Sequence, residues 1–244
     1  SNTAWFRPLA ERWRAMGYRV VGLERRGSGL NWAPGAEDVP SARDLELDAI
    51  RELSAPSGMA PGRPLIVVGW CWGAILGVHL ALGLDGRVAG LALLAPGLHP
   101  SAAVAERMRA LAEQAKGLPP EVPVLESPIT DEMFTKGPML DAFIRRDEAR
   151  WQRFSPRFLD VSTRMSLAAR MRLRKLTVPL FVALAEDDAT TDNDAMLAEL
   201  ARLPADRVRT TLLPGAHGLQ FDAPAALAER LDAWAHQELD TLGV

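Results

Sequence analysis

The sequence predicts an α/β domain: a doubly wound, mostly parallel sheet interrupted by a helical insertion. Three observations carry that expectation. Short apolar runs of strand length alternate with amphipathic stretches of helical period at both ends of the chain. Between about residues 98 and 176 the alternation gives way to helical patterns alone. In the first half, the apolar run Pro64–Val68 leads into Gly69-Trp70-Cys71-Trp72-Gly73 and then into an apolar helix, which reads as strand, sharp turn, helix. The expected division is a core of residues 1–97 and 177–244 with a helical cap of residues 98–176.

Taken in order, Trp5, Leu9, Trp13 and Met16 recur at helical spacing, and Gly17 supplies a stop signal. Tyr18–Leu23 reads as a strand, closed by the glycine-bearing loop Glu24–Asn31. Ser41–Ser54 reads as a helix with Ser41 as its cap and Ala49, Ile50 and Leu53 inward. A Pro/Gly-rich link, Ala55–Arg63, precedes the turn. Trp72–Leu84 is expected to be helical and Val88–Leu94 a buried strand. Helical pieces follow near residues 101–116, 130–150 and 155–173, separated by a Pro-rich loop, with no good strand among them. Val178–Ala185 resumes the strands, Asp192–Leu203 the helices. Asp206–Leu213 is the last strand and Pro224–Leu239 the last helix.

The 244 residues carry a formal net charge of −3, so bulk charge suggests neither nucleic acid nor an anionic membrane as partner. No apolar run is long enough to span a bilayer, and no signal peptide is visible, so a cytoplasmic protein is expected. Cys71 is the single cysteine, which excludes an internal disulfide and leaves packing or chemistry to explain it. Gly27 and Gly29 form no phosphate loop, because no Gly-Lys-Ser/Thr follows and the dinucleotide spacing fails.

Cys71 stands in the middle of the turn, where a strained backbone would raise its side chain at the carboxyl end of the sheet. An aspartate, Asp187 or Asp188, follows a later strand, and His217 follows the last. Nucleophile, acid, histidine is a recognised catalytic order. An imidazole within reach activates a thiol, an acid orients the imidazole, and the backbone N–H of Trp72 would donate to an oxyanion. His99, at the same end of the sheet, is a candidate pocket residue. Trp70 and Trp72 are candidates for the pocket floor, with the core as their ordinary alternative. His79 and His236 read as helix residues outside the chemistry. The competing account of Cys71 itself is a small buried hydrophobe.

The pieces W-F-R-P-L-A-E-R-W-R-A-M-G-Y-R-V, E-R-R-G-S-G-L-N, G-W-C-W-G-A, A-E-D-D-A-T-T-D-N and P-G-A-H-G-L-Q-F resemble the α/β-hydrolase superfamily. The likeness is to its capped lipase- and lysophospholipase-like branch, with monoacylglycerol lipases and serine-aminopeptidase-like hydrolases. It implies Asp188 rather than Asp187 as the acid, giving Cys71, His217 and Asp188 as catalytic residues. It implies esterase, thioesterase or acyltransferase chemistry on a small acyl substrate, with neither metal nor organic cofactor. Two departures stand out. Relatives normally carry earlier strands ending in a His-Gly loop that supplies the second oxyanion donor, strands the sequence is expected to lack. They also normally have serine where Cys71 stands. A cysteine elbow is similar to that of dienelactone hydrolases, in which a glutamate helps activate the thiol; Glu24 is the candidate here. The arginine-rich second half of the cap is expected to be a solvated face, the alternative being a dock for an acidic substrate or an acyl-carrier protein. Against an acyl-transfer enzyme stand an isomerase or lyase on the same fold, a binding module and an inactive relative.

Overall fold

A computed structural model describes residues 2–33, 35–54, 63–84 and 86–242. A 3-10 turn, Thr3–Phe6, leads into α1 (Arg7–Ala15), followed by α2 (Ala42–Ser54). Then come β1 (Leu65–Trp70), α3 (Trp72–Gly83) and β2 (Val88–Leu94). The segment up to the next core strand holds α4 (Ala102–Gln114), β3 (Leu125–Glu126), α5 (Asp131–Phe134), α6 (Met139–Ala142), β4 (Arg153–Phe154) and α7 (Pro156–Arg172). The chain closes with β5 (Leu180–Ala185), α8 (Asn193–Leu200), β6 (Val208–Leu213), α9 (Leu219–Asp222) and α10 (Pro224–Leu242).

The main sheet runs β1-β2-β5-β6, with every pairing parallel. Both faces are covered, so its central strands are apolar throughout rather than alternating. On one face, Leu91 and Leu93 of β2 and Leu180, Val182 and Leu184 of β5 pack with Leu45 of α2, Ile75 and Val78 of α3 and Met196 of α8. On the other, Ala92, Leu94, Phe181 and Ala183 meet Trp5, Leu9 and Trp13 near the chain start and Leu227, Leu231 and Trp234 of α10. Trp234 occupies the space beside Gly90, where an added Cβ would lie 2.7 Å from the indole. The doubly wound, mostly parallel architecture is therefore the one expected.

Several expectations require correction. Tyr18–Leu23 forms no strand, because its backbone enters no ladder, and among the described residues β1 pairs with β2 alone. Leu125–Glu126 and Arg153–Phe154 pair as a short antiparallel ladder where helices alone were expected. The helical stretch near 130–150 is broken into α5 and α6, with Gly137 and Pro138 between them. β1 reaches two residues beyond Val68, since Gly69 and Trp70 continue the register against Leu93 and Leu94. The link Ala55–Arg63 lies almost wholly outside the described residues. Ser41 does cap α2, its Oγ accepting from the Asp44 N–H at 3.2 Å. Among the described residues no helix is long and apolar enough to cross a membrane.

Candidate active site

The turn between β1 and α3 holds Cys71 at φ 54°, ψ −119°, a conformation that costs a non-glycine residue about 1–3 kcal/mol. Three backbone hydrogen bonds hold it there. The Cys71 N–H donates to Leu94 O at 3.0 Å, at the end of β2, while Cys71 O accepts from Ala74 N at 3.1 Å and Gly97 N at 3.0 Å. The thiol is half-buried and in no disulfide. As the first residue of α3, Trp72 has no carbonyl one turn back for its N–H, which leaves that donor available beside the thiol.

The two flanking glycines are not equivalent. A Cβ on Gly69 would lie 2.7 Å from Ala74 Cα and closer still to Gly73 O, both backbone atoms of α3. A Cβ on Gly73 would meet nothing within 4 Å. Gly69 is thus required by the approach of strand to helix and Gly73 is not. Gly69→Ala is expected to destabilise the protein by about 3 kcal/mol or more. Gly73→Ala should be neutral or stabilising by up to about 1 kcal/mol. Thermal denaturation of the two variants checks both.

After β5, Asp188 is fully enclosed, with 0% side-chain exposure. Its Oδ1 accepts from the N–H groups of Thr190 (2.8 Å) and Thr191 (3.1 Å), and its Oδ2 from the Thr191 hydroxyl (2.8 Å). Oδ2 also meets His217 Nδ1 at 2.8 Å. Burial alone would raise the Asp188 carboxyl, but the contact with His217 and these donors hold it below its ordinary value. Asp187 is exposed, and its N–H is used by Gly215 O. The structure therefore brings Asp188, not Asp187, to the histidine.

His217 has no exposed surface. Its carbonyl accepts from the indole N–H of Trp70 at 2.9 Å, and its ring lies against those of Trp70 and Phe134, with centroids 5.3 and 6.1 Å away. The Gly218 N–H donates to Phe134 O. Burial pulls the imidazole down, but the negative charge of the Cys71 sulfur and then the bond to Asp188 outweigh it and raise the ring to about 10. Nε2, the ring nitrogen not bound to Asp188, lacks a partner of good hydrogen-bond geometry. The Cys71 sulfur nevertheless acts on the ring, by charge first and, after Asp188, as a hydrogen-bonding neighbour.

The remaining candidates fall elsewhere. Trp70 is buried among Trp5, Phe6 and Phe134, so it backs the histidine instead of forming a pocket floor. The indole N–H of Trp72 donates to Ser162 Oγ of α7 at 2.7 Å, and its ring packs on Phe158. The Glu24 carboxylate accepts from the Thr3 N–H (3.0 Å) and hydroxyl and packs against Gly29. It serves its own loop, a correction to its expected approach to the thiol. His99 is buried beside Arg170, Asp192, Glu199 and Arg202, with its pKa lowered by burial first and Arg170 second. Its charged neighbours do not include Cys71 or His217. His79 is buried against Glu46 and Met165 O, and His236 is exposed on α10.

The sequence reading missed the group around Trp72: Arg25, Trp151, Phe158 and Ser162. The Arg25 guanidinium lies 3.7 Å from the ring centre of Trp151, 5.4 Å from that of Trp72 and 5.5 Å from that of Phe158. Arg25 sits in the glycine-bearing loop, and Trp151 and Phe158 lie more than a hundred residues later, so no local pattern joins them.

A parallel sheet wound on both faces, with its strained elbow at the head of α3, is the architecture of the α/β hydrolases. The sequence profile of the serine aminopeptidase S33 family matches residues 1–224, and the chain belongs to that family. Among solved structures it is similar to the monoacylglycerol lipase of Paleococcus ferrophilus, at 16% identity and TM-score 0.80 over 98% of this chain and 91% of that one. It is also similar to a soluble variant of monoglyceride lipase from Saccharomyces cerevisiae, at 16% identity and TM-score 0.82 over 98% of this chain and 83% of that one. A thermophilic esterase from Thermogutta terrifontis aligns at 16% identity and TM-score 0.66, over 97% of this chain and 86% of that one. At these identities the likeness is one of fold. No curated protein matches the chain.

Proposed function

We propose that the protein is an acyl-transfer hydrolase acting on an ester, thioester or lactone, with Cys71 as nucleophile, His217 as proton carrier and Asp188 as the acid that orients it. The observation that carries the reading is the buried Asp188–His217 pair, whose imidazole is raised chiefly by the sulfur of the strained Cys71. In the reaction, the Cys71 sulfur attacks the carbonyl carbon, and the electron pair moves onto the carbonyl oxygen near the Trp72 N–H. His217 gives its proton to the leaving alcohol or thiol as the acyl–sulfur bond is established. In the second half, water or another acceptor loses a proton to His217, attacks the acyl group and expels the sulfur.

Two features support an acyl substrate. The fold is shared with proteins named as lipases and esterases. The segment between β2 and β5 also contacts the elbow and the histidine, with Ser162 and Phe158 of α7 touching Trp72 and Phe134 of α5 touching His217. A thioester intermediate is more readily passed to an amine, alcohol or thiol than an ordinary ester is, so transfer to an acceptor other than water belongs to the same proposal. The acyl donor is a small molecule or an acyl-carrier protein.

Intact-mass analysis after exposure to p-nitrophenyl butyrate tests the reading. One butyryl adduct is expected on wild-type protein and none on Cys71→Ala. Failure to acylate, while iodoacetamide still alkylates Cys71, would leave a binding or non-hydrolytic role on the same fold.

A further inference from the structure

Arg25 is anomalous among the arginines of its loop. Its neighbour Arg26 lies 2.6 Å from Asp48 and 3.9 Å from Asp44. Arg25 has no such pair among the described residues, and its Nη1 is sealed from solvent with no hydrogen-bond partner. The nearest carboxylate in sequence, Glu24, is committed to Thr3. Three rings surround the guanidinium: Trp151, buried and itself anchored by its indole N–H on Gly27 O, together with Trp72 and Phe158.

Aromatic faces attract a cation by about 0.5–2 kcal/mol but accept none of its N–H groups in their plane. A buried charge without an acceptor is costly. Burial accordingly draws Arg25 down to about 10, with Glu24 opposing it only weakly, so the group stays charged at neutral pH. This is an arrangement waiting for an anion. Its location is informative, because Trp72 is both one wall of the ring cluster and the residue that follows Cys71.

We propose that Arg25 is a substrate-recognition residue that binds a carboxylate carried by the acyl donor, so that the preferred substrates are half-esters or half-thioesters of dicarboxylic acids. The proposal rests on the acyl-transfer reading of Cys71 for its reaction, but not for its binding. A carboxylate fits better than a phosphate. A single guanidinium offers a planar two-pronged edge that a carboxylate matches in charge and shape, and the flanking ring faces favour a flat group. The carboxylate end would lie on Arg25 beside the Trp72 ring and the reacting carbonyl at Cys71. The indole would then set the number of carbons between them.

The test compares p-nitrophenyl butyrate with mono-p-nitrophenyl glutarate in wild-type protein and in Arg25→Met and Arg25→Lys. The wild type should favour the glutarate in kcat/KM by about 10-fold or more, as one charge-assisted contact allows. Arg25→Met should lose that ratio, and Arg25→Lys should recover only part of it. A second measurement uses only wild-type protein and no turnover: glutarate, and not glutaramide, should slow alkylation of Cys71 by iodoacetamide. An unchanged ester ratio in Arg25→Met, or equal protection by glutarate and glutaramide, overturns the proposal. Loss of turnover on both esters with glutarate protection intact would instead overturn the acyl-transfer reading and leave Arg25 as an anion site.

Discussion

Cys71→Ala is expected to lower ester turnover by on the order of 10³-fold or more, while the thermal transition moves little. The variant deletes one half-buried sulfur and leaves Leu94 O, Ala74 N and Gly97 N with the same backbone partners, so the elbow persists without its nucleophile. Cys71→Ser is the more discriminating change. In the wild type the negative sulfur is the foremost influence raising His217, with Asp188 adding to it. His217 then keeps its proton until pH approaches about 10. Asp188 keeps its charge until pH falls below the ordinary carboxylate range, because its own pKa is lowered. The Asp188–His217 pair thus holds its charge between those limits, and wild-type ester turnover should show no step near about pH 6.5, the ordinary imidazole range. A serine brings no charge to raise the ring. Residual activity of Cys71→Ser should therefore climb with pH through the ordinary imidazole range, near about 6.5. Equal pH profiles for the two enzymes would show that the sulfur does not govern the histidine.

Asp188→Asn should reduce turnover by about 10²–10⁴-fold. The exchange keeps the shape and removes the charge. Oδ2 now accepts from both His217 Nδ1 and the Thr191 hydroxyl, while Oδ1 accepts from two backbone N–H groups. An asparagine must turn its NH2 toward one of these sets of donors. With the amide oxygen kept on the two N–H groups, the NH2 faces Nδ1 and drives the ring to the tautomer that cannot serve Cys71. Stability should fall too, by about 1–3 kcal/mol for buried donors left without acceptors. Asp187→Asn, at an exposed side chain, should alter neither. Single-turnover kinetics with thermal denaturation separates the two aspartates, and loss of activity in Asp187→Asn alone would reverse the assignment.

What the sequence disclosed follows from the range of the interactions involved. β2 was legible to the residue because a buried parallel strand is apolar on both faces, and Val88–Leu94 is apolar apart from one glycine. The elbow was legible because its strain and crowding act over five consecutive residues, although only Gly69 of its two glycines has a steric duty. Tyr18–Leu23 has the composition of a strand, but a strand exists only through a partner, and composition does not supply one. The choice between Asp187 and Asp188 was settled by a likeness of motifs and not by spacing. In the structure it is a matter of which carboxylate points inward onto Thr190, Thr191 and His217. Arg25 stayed hidden because its rings come from the elbow, from Trp151 and from α7, three places with no shared periodicity.

The order β1-β2-β5-β6 has a further consequence. Cys71 issues from one edge of that sheet, His217 from the other, and Asp188 from the strand beside it. Two strand-to-strand ladders must hold register between thiol and acid, and a third between acid and imidazole. The chemistry therefore works as a gauge of the whole sheet's cooperativity: no partial melting that slips a strand can leave it running. In urea, turnover and the far-ultraviolet helix signal should decline together.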